Sequence, residues 1–335
     1  MRVVQVERFG GPEVLVPGRM PDPVAGPGQA VVGVFAADVM FLDTQIRSGW
    51  GGEYFAVSPP YVPGNGVAGR VVSAGEGVDA DWIGTDVITE TGRRDPGTGL
   101  SVAPTDGYAE QVAVPASGLI RLPDGLGPRE AVALLHDGPT ALMLAEAARI
   151  KPDDRVLVAA AAGGAGGLLV QLARAAGARV IGAARGRRKL DLARELGAEA
   201  VVDYSEPGWT DRVRQFTDGH GAEVALDGAG GRLGRSAFDV TARGGRFIAY
   251  GASGGEFAGI GPQESQSREV DVTTLFDLPS LDAAGKRRLV EEALGHAAAG
   301  RIRPFIGQTF DLERASEAHA AIAARSTLGK TLLLT

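Results

Sequence analysis

The run Val156-Leu-Val-Ala-Ala-Ala-Ala-Gly163-Gly164-Ala165-Gly166-Gly167-Leu-Leu-Val-Gln-Leu-Ala173 restricts this chain more than any other feature. It reads as a short buried strand, a turn of tiny residues, and an apolar helix with no bulky side chain in its first turn. Backbone N–H groups and the positive end of the helix dipole converge at such a junction, so it accepts a pyrophosphate. Ala161, Gly163 and Gly166 fall on the three positions of G-x-G-x-x-G, with alanine in the first place. A flexible Gly/Ala turn between any strand and helix is the competing reading. The 18 uncharged residues between Arg155 and Arg174 approach the length of a membrane span, but their six alanines and central glycines favour a strand-turn-helix.

The next apolar segment, Ala178–Ala184, ends where a dinucleotide unit selecting NAD carries Asp or Glu for the ribose 2′-hydroxyl, ~20 residues past the glycines. Here the chain has Arg185-Gly-Arg187-Arg188-Lys189. A carboxylate would repel a 2′-phosphate, whereas guanidinium groups grip it bidentately. NADPH is therefore expected over NADH, with a solvated basic helix start as the alternative for one or two of these cations.

The 335 residues suffice for two domains, and 44% hydrophobic with 22% charged residues is ordinary for a globular chain. A net charge of −7 gives no reason to expect nucleic acid or an anionic membrane surface. The start, Met1-Arg-Val-Val-Gln-Val-Glu7, has no apolar signal core, which predicts a cytoplasmic protein. The chain has no cysteine, which rules out a disulfide, a thiolate nucleophile and Cys-ligated zinc. The four histidines, His136, His220, His296 and His319, stand singly, so no metal site is expected.

Two unlike regions follow one another. Up to about Leu122 the chain is strand-rich: Val3–Val6, Gln29–Phe35, Gly66–Ser73 and Thr85–Thr89, separated by Pro/Gly turns as in a small barrel, with a polar loop over Arg93–Asp106. From about Pro123, strands at Val156–Ala162, Val180–Ala184, Ala200–Asp203, Glu223–Asp227 and Gly245–Gly251 alternate with helices at Gly166–Ala176, Arg188–Leu196, Trp209–Thr217 and Gly231–Thr241. That alternation predicts an α/β, doubly wound parallel sheet. A further strand at Val272–Phe276, a helix over Asp282–Ala299, a short helix at Leu312–Ala324 and a last strand at Thr331–Leu334 complete the reading.

The chain resembles the medium-chain dehydrogenase/reductase superfamily, and within it the zinc-free quinone oxidoreductase (zeta-crystallin-like) branch. The residues that carry the resemblance span almost the whole sequence: Phe41-Leu-Asp43-Thr-Gln-Ile-Arg47-Ser-Gly49, Pro63-Gly-Asn65-Gly66-Val-Ala-Gly69, Asp106-Gly-Tyr108-Ala-Glu110, the Gly163 turn, Val202-Asp-Tyr204 and Arg325-Ser-Thr. The resemblance implies a GroES-like β-barrel catalytic domain from 1–122 and 303–335, and a Rossmann NADPH-binding domain from 123–302. Zinc-dependent relatives carry Gly-His-Glu at Gly64-Asn65-Gly66, a ligating cysteine near Asp38, and a four-cysteine lobe around Arg93–Asp106; none of those ligands is present here.

The resemblance also implies roles for single residues. Lys189, Tyr204 and Arg325 match the 2′-phosphate and adenosine pocket. Gly163, Gly164, Ala165 and Gly166 match the pyrophosphate turn, and Asp227-Gly228 with Gly251-Ala252 match backbone lining the ribose and nicotinamide. Thr140 and Phe276 are further cofactor contacts, and Arg185 is added on charge and position. On the substrate side, Met40 replaces an asparagine of related reductases, and a thioether cannot donate its hydrogen bond. Tyr54, in a long loop, is a candidate proton donor or a residue packing at the cleft rim. His136 is a candidate donor or a hydrogen-bonded core histidine. Asn65 is placed to orient a carbonyl, and Asp43 to tie down its loop.

The expected chemistry is zinc-independent hydride transfer from NADPH to a quinone or an α,β-unsaturated carbonyl, acceptors whose arriving charge spreads onto oxygen. A pathway-specific enoyl (thioester or polyketide) reductase and a catalytically weak NADPH-binding protein are the alternatives. A homodimer is expected through Val272–Phe276.

Overall fold

The computed structural model describes residues 1–94 and 101–335. By packing, the chain forms two compact units, Met1–Pro139 with Leu281–Gly300 and Pro304–Thr335, and Thr140–Ser280 with Arg301–Arg303.

The first unit is built on a seven-stranded, largely antiparallel sheet. Its centre is Gln29–Val39, which pairs with Gly66–Ala74, Gln111–Pro115 and the C-terminal Lys330–Leu334. Alternation along Gln111–Pro115 turns Val112 and Val114 to one apolar face, while Gly66–Gly69 is buried throughout. Val3, Val32, Val67, Val87, Leu119 and Leu333 meet in that core. Two features differ from the sequence expectation. The central strand runs on to Val39, past Phe35, so Asp38 lies on a strand and is fully buried. Part of the supposed loop is a ribbon, with Arg93–Arg94 paired to Ser101–Ala103; residues 95–100 of that segment lie outside the described residues.

The second unit is a six-stranded sheet in the order Ala200–Asp203, Arg179–Ala184, Arg155–Ala159, Ala222–Asp227, Thr241–Ala249, Asp271–Thr274. Every pairing is parallel, which is the doubly wound arrangement that the alternating pattern predicts. Strands buried on both faces need uninterrupted apolar runs, and Val156, Leu157, Val158, Val224, Ala225 and Leu226 provide them.

Three expectations are corrected. The first strand of this sheet stops at Ala159, because Ala160 turns back with φ +62° and frees the following residues to start the helix Gly164–Ala175. The last strand ends at Thr274 rather than Phe276, because the Asp277 carboxylate accepts both the N–H and the hydroxyl of Thr274 and closes a 3-10 turn. Packing also moves the division near 123 and 303: the helices Pro128–Leu134 and Ala283–Ala298 bury Val132, Leu134 and Leu294 within the first unit. Among the described residues no helix is long and apolar enough to cross a membrane.

Candidate functional site

In the second unit, the strands Arg155–Ala159 and Ala222–Asp227 lie side by side while their connections leave to opposite sides of the sheet, which makes their C-terminal ends the natural ligand crevice. The turn after Ala159 leads into the helix Gly164–Ala175, with Gly163 at its N-cap. The first intrahelical bond is from Gly167 N–H to Gly163 O, so the N–H groups of Gly164, Ala165 and Gly166 have no acceptor among the described residues. Gly163 is exposed and Gly164 and Ala165 are half-buried. A Cβ on Gly166 would stand 2.3 Å from Ala160 O, so only glycine lets the helix start this close to the strand end.

The neighbouring strand delivers Arg185, which is exposed, and the helix Arg187–Glu195 starts with Arg187, Arg188 and a half-buried Lys189. Asp203, at the end of the next strand, accepts Gly186 N–H and the Ser205 N–H and hydroxyl; against its burial, those bonds and Arg185 nearby hold it below the usual carboxylate range. The Tyr204 ring, half-buried, leans edge-on against Trp209. Asp227 is fully buried, and burial pushes its carboxyl up to about 6 while the N–H groups of Ala229 and Gly230 hold Oδ1. Its side chain therefore shapes the loop from inside, where Asp227 and Gly228 are buried and Gly251 and Ala252 half-buried. Gly251 N–H donates to Asp227 O, which joins the two strand ends. Thr140 is half-buried at the start of this unit. Phe276 is 78% exposed against Phe257, beside the edge strand. Arg325 belongs to the first unit, exposed with φ +55°.

The first unit contains a cluster of ionisable groups that the sequence reading located only through His136. His136 Nδ1 donates to Asp38 Oδ2 at 3.0 Å. The same oxygen accepts from the Lys330 ammonium at 3.2 Å, and Lys330 also reaches Asp137 at 3.4 Å. On the other side of the ring, Nε2 is 3.3 Å from Asn65 Nδ2 and 3.7 Å from Glu90. Asp38 and Lys330 are almost wholly buried, and His136 is half-buried. The two cations hold Asp38 ionised against the burial that opposes it, and Asp38 and Glu90 raise the proton affinity of His136 despite burial. Gly66 makes the packing possible, since a Cβ there would stand 2.6 Å from Asp38 Oδ1 and 2.8 Å from His136 Cε1.

Met40 precedes the helix Phe41–Arg47, and its N–H donates to Asp43 Oδ2. Asp43 is thus the anchor of its loop, as expected, and Tyr108 donates its hydroxyl to the same oxygen while accepting from His319 Nε2 at 2.9 Å. Burial next to Asp38 pushes the Asp43 carboxyl up to about 7. Tyr54 is 69% exposed beside Trp50, and no hydrogen bond joins it to Asn65 or His136 among the described residues. Of the four substrate-side candidates, the fold brings Asn65 and His136 together, while Met40 caps its helix and Tyr54 is exposed beside Trp50.

Comparison with known proteins bears on both units. Residues 26–124 match the alcohol dehydrogenase GroES-like domain, and residues 164–277 match the zinc-binding dehydrogenase domain. A quinone oxidoreductase of Pseudomonas aeruginosa is 31% identical over 99% of this chain and 98% of its own. A 2-haloacrylate reductase of a Burkholderia species is 30% identical over 98% and 97% of the two chains. The crystal structure of Escherichia coli quinone oxidoreductase complexed with NADPH superposes with a TM-score of 0.86 at 27% identity, covering all of both chains.

Proposed function

Since the chain belongs to the quinone oxidoreductase branch of the medium-chain dehydrogenase/reductase superfamily, we propose that it is an NADPH-dependent reductase of quinones or α,β-unsaturated carbonyl compounds. The observation that carries this reading is the start of the helix Gly164–Ala175, with three N–H groups lacking acceptors at a sheet crevice flanked by Arg185 and Lys189. Those N–H groups suit a pyrophosphate, and the two cations suit a ribose 2′-phosphate. When bound, the reduced nicotinamide supplies a hydride. In this reading His136 is the proton donor through Nε2, with Asp38 fixing the ring through Nδ1 and supporting its cationic form, and the Asn65 amide presenting its oxygen in place of Nδ2 to that nitrogen. Asn65 orients the acceptor oxygen.

The reaction runs without zinc in this reading. The Asp38 oxygen that faces His136 already holds an ammonium at 3.2 Å, and a divalent cation added there would meet that charge at short range. The chain has no thiolate to offset it. The protein acts as a homodimer through the free edge of the strand Asp271–Thr274.

Titration with each coenzyme tests the reading: NADPH binds at least about tenfold tighter than NADH, a difference of about 1.4 kcal/mol. Arg185→Ala with Lys189→Ala removes that preference and leaves NADH binding unchanged. Equal dissociation constants in the unaltered protein would refute the assignment, and stoichiometric zinc in purified material would refute the metal-free chemistry. A pathway-specific enoyl reductase is the second reading, favoured by the built proton-donor cluster at His136, because reducing a conjugated double bond requires a proton at carbon as well as the hydride. Turnover confined to one enoyl thioester in a panel that includes simple quinones would select it.

A further inference from the structure

We propose that Lys330 is a positioning residue for His136: its ammonium, buried against Asp38 and Asp137, pins Asp38 as the anion that receives the Nδ1 proton and makes the imidazole the second cation of a four-group cluster. This rests on the reading of His136 as the proton donor. The geometry is closed on itself. Asp38 Oδ2 takes one bond from His136 at 3.0 Å and one from Lys330 at 3.2 Å, and Lys330 spans to Asp137 at 3.4 Å.

Lys330 is 5% and Asp38 0% exposed, so solvent cannot balance either charge. Burial penalises net charge, and two carboxylates with one ammonium leave a deficit of one positive charge. The protonated imidazole supplies it, with the Asn65 amide turned so that its oxygen, in place of Nδ2, accepts from Nε2. Beyond these, Glu90 lies 3.7 Å from Nε2 and Lys286 3.9 Å from Glu90, a pair of opposite charges. Asp43, on the helix Phe41–Arg47, is held near neutral by burial. Lys330 therefore acts in two opposed ways: it fixes the acceptor that orients His136, and its charge restrains how tightly the ring keeps its proton.

The arrangement makes predictions of opposite sign for two neighbours. In Lys330→Met the two carboxylates face His136 alone, and its proton affinity rises by about one unit. In Asp137→Asn the ammonium is matched by Asp38 alone, and the imidazole titrates about one unit lower. Proton NMR of the full-length protein reads this directly from the His136 Cε1–H resonance, assigned by its loss in His136→Gln. The alkaline limb of the kcat profile moves with it, up in the first variant and down in the second, with KM unchanged. If both variants leave the His136 titration where it was, or move it in the same direction, the proposal fails. If Lys330→Met does not fold, the downward shift in Asp137→Asn alone decides. Full activity in His136→Gln would instead overturn the proton-donor reading, whatever the titrations show.

Discussion

His319 is a residue whose ionisation opposes the fold. Its ring is fully buried, Nδ1 has no hydrogen-bond partner, and burial lowers its pKa from 6.5 to about 3. The native ring stays neutral in a pH range where the unfolded chain takes up a proton. Its stabilising contribution is therefore complete above about pH 6.5 and is lost progressively as pH falls toward 3. Asp43, raised to about 7, works with the opposite sign, since the native carboxyl keeps a proton that the unfolded chain has released. Urea unfolding at a series of pH values separates them. The midpoint of His319→Gln is expected to fall less between pH 6.5 and 4 than that of the unaltered protein, and parallel curves would disprove the assignment. The shifted ionisation of neither residue was legible in the sequence, because it comes from burial around Tyr108 and not from spacing.

At the scale of an element, the turn between the strand Arg155–Ala159 and the helix Gly164–Ala175 concentrates the constraint. A Cβ on Gly166 would be 2.3 Å from Ala160 O, a backbone atom that cannot yield without moving the strand end. A Cβ on Gly167 would press on Leu196 Cδ1, at 2.9 Å, the tip of a side chain able to rotate, and make an ordinary 3.8 Å contact with Ala161 O. Gly166→Ala should thus cost about 1–3 kcal/mol of stability and at least tenfold in NADPH affinity, while Gly167→Ala costs clearly less. Urea denaturation and a coenzyme titration of both variants measure this; equal losses would mean that close approach to the strand is not what requires the glycine. The pattern was legible beforehand because strand, turn and helix are consecutive in the chain, and periodicity reports on such local order. Its boundaries were less so, since the stop at Ala159 depends on the positive φ of Ala160, which alanine does not announce.

For the molecule as a whole, the strand Asp271–Thr274 pairs among the described residues with Thr241–Ala249 on one side only, and Phe276 just beyond it is 78% exposed. An open edge flanked by an aromatic side chain is suited to a two-fold continuation of the sheet. Light scattering should give twice the 34.5 kDa chain mass, and Thr273→Pro, which removes a backbone donor, should give the single mass. A monomeric unaltered protein would end that proposal. The sequence alone sufficed for the parallel sheet, the strand-rich first region and the basic end of the second strand, because each is encoded by residues close together in the chain. It also isolated His136 as a candidate, but not its partners. Asp38 is 98 residues away from it, and Lys330 lies 292 residues from Asp38. Lys330 stands just before the strand read from the sequence at Thr331–Leu334, and only the pairing of Lys330–Leu334 with Gln29–Val39 carries its ammonium to those carboxylates. Tertiary structure decided that cluster, since charges so distant in sequence become a chemical unit only when a sheet holds them together out of water.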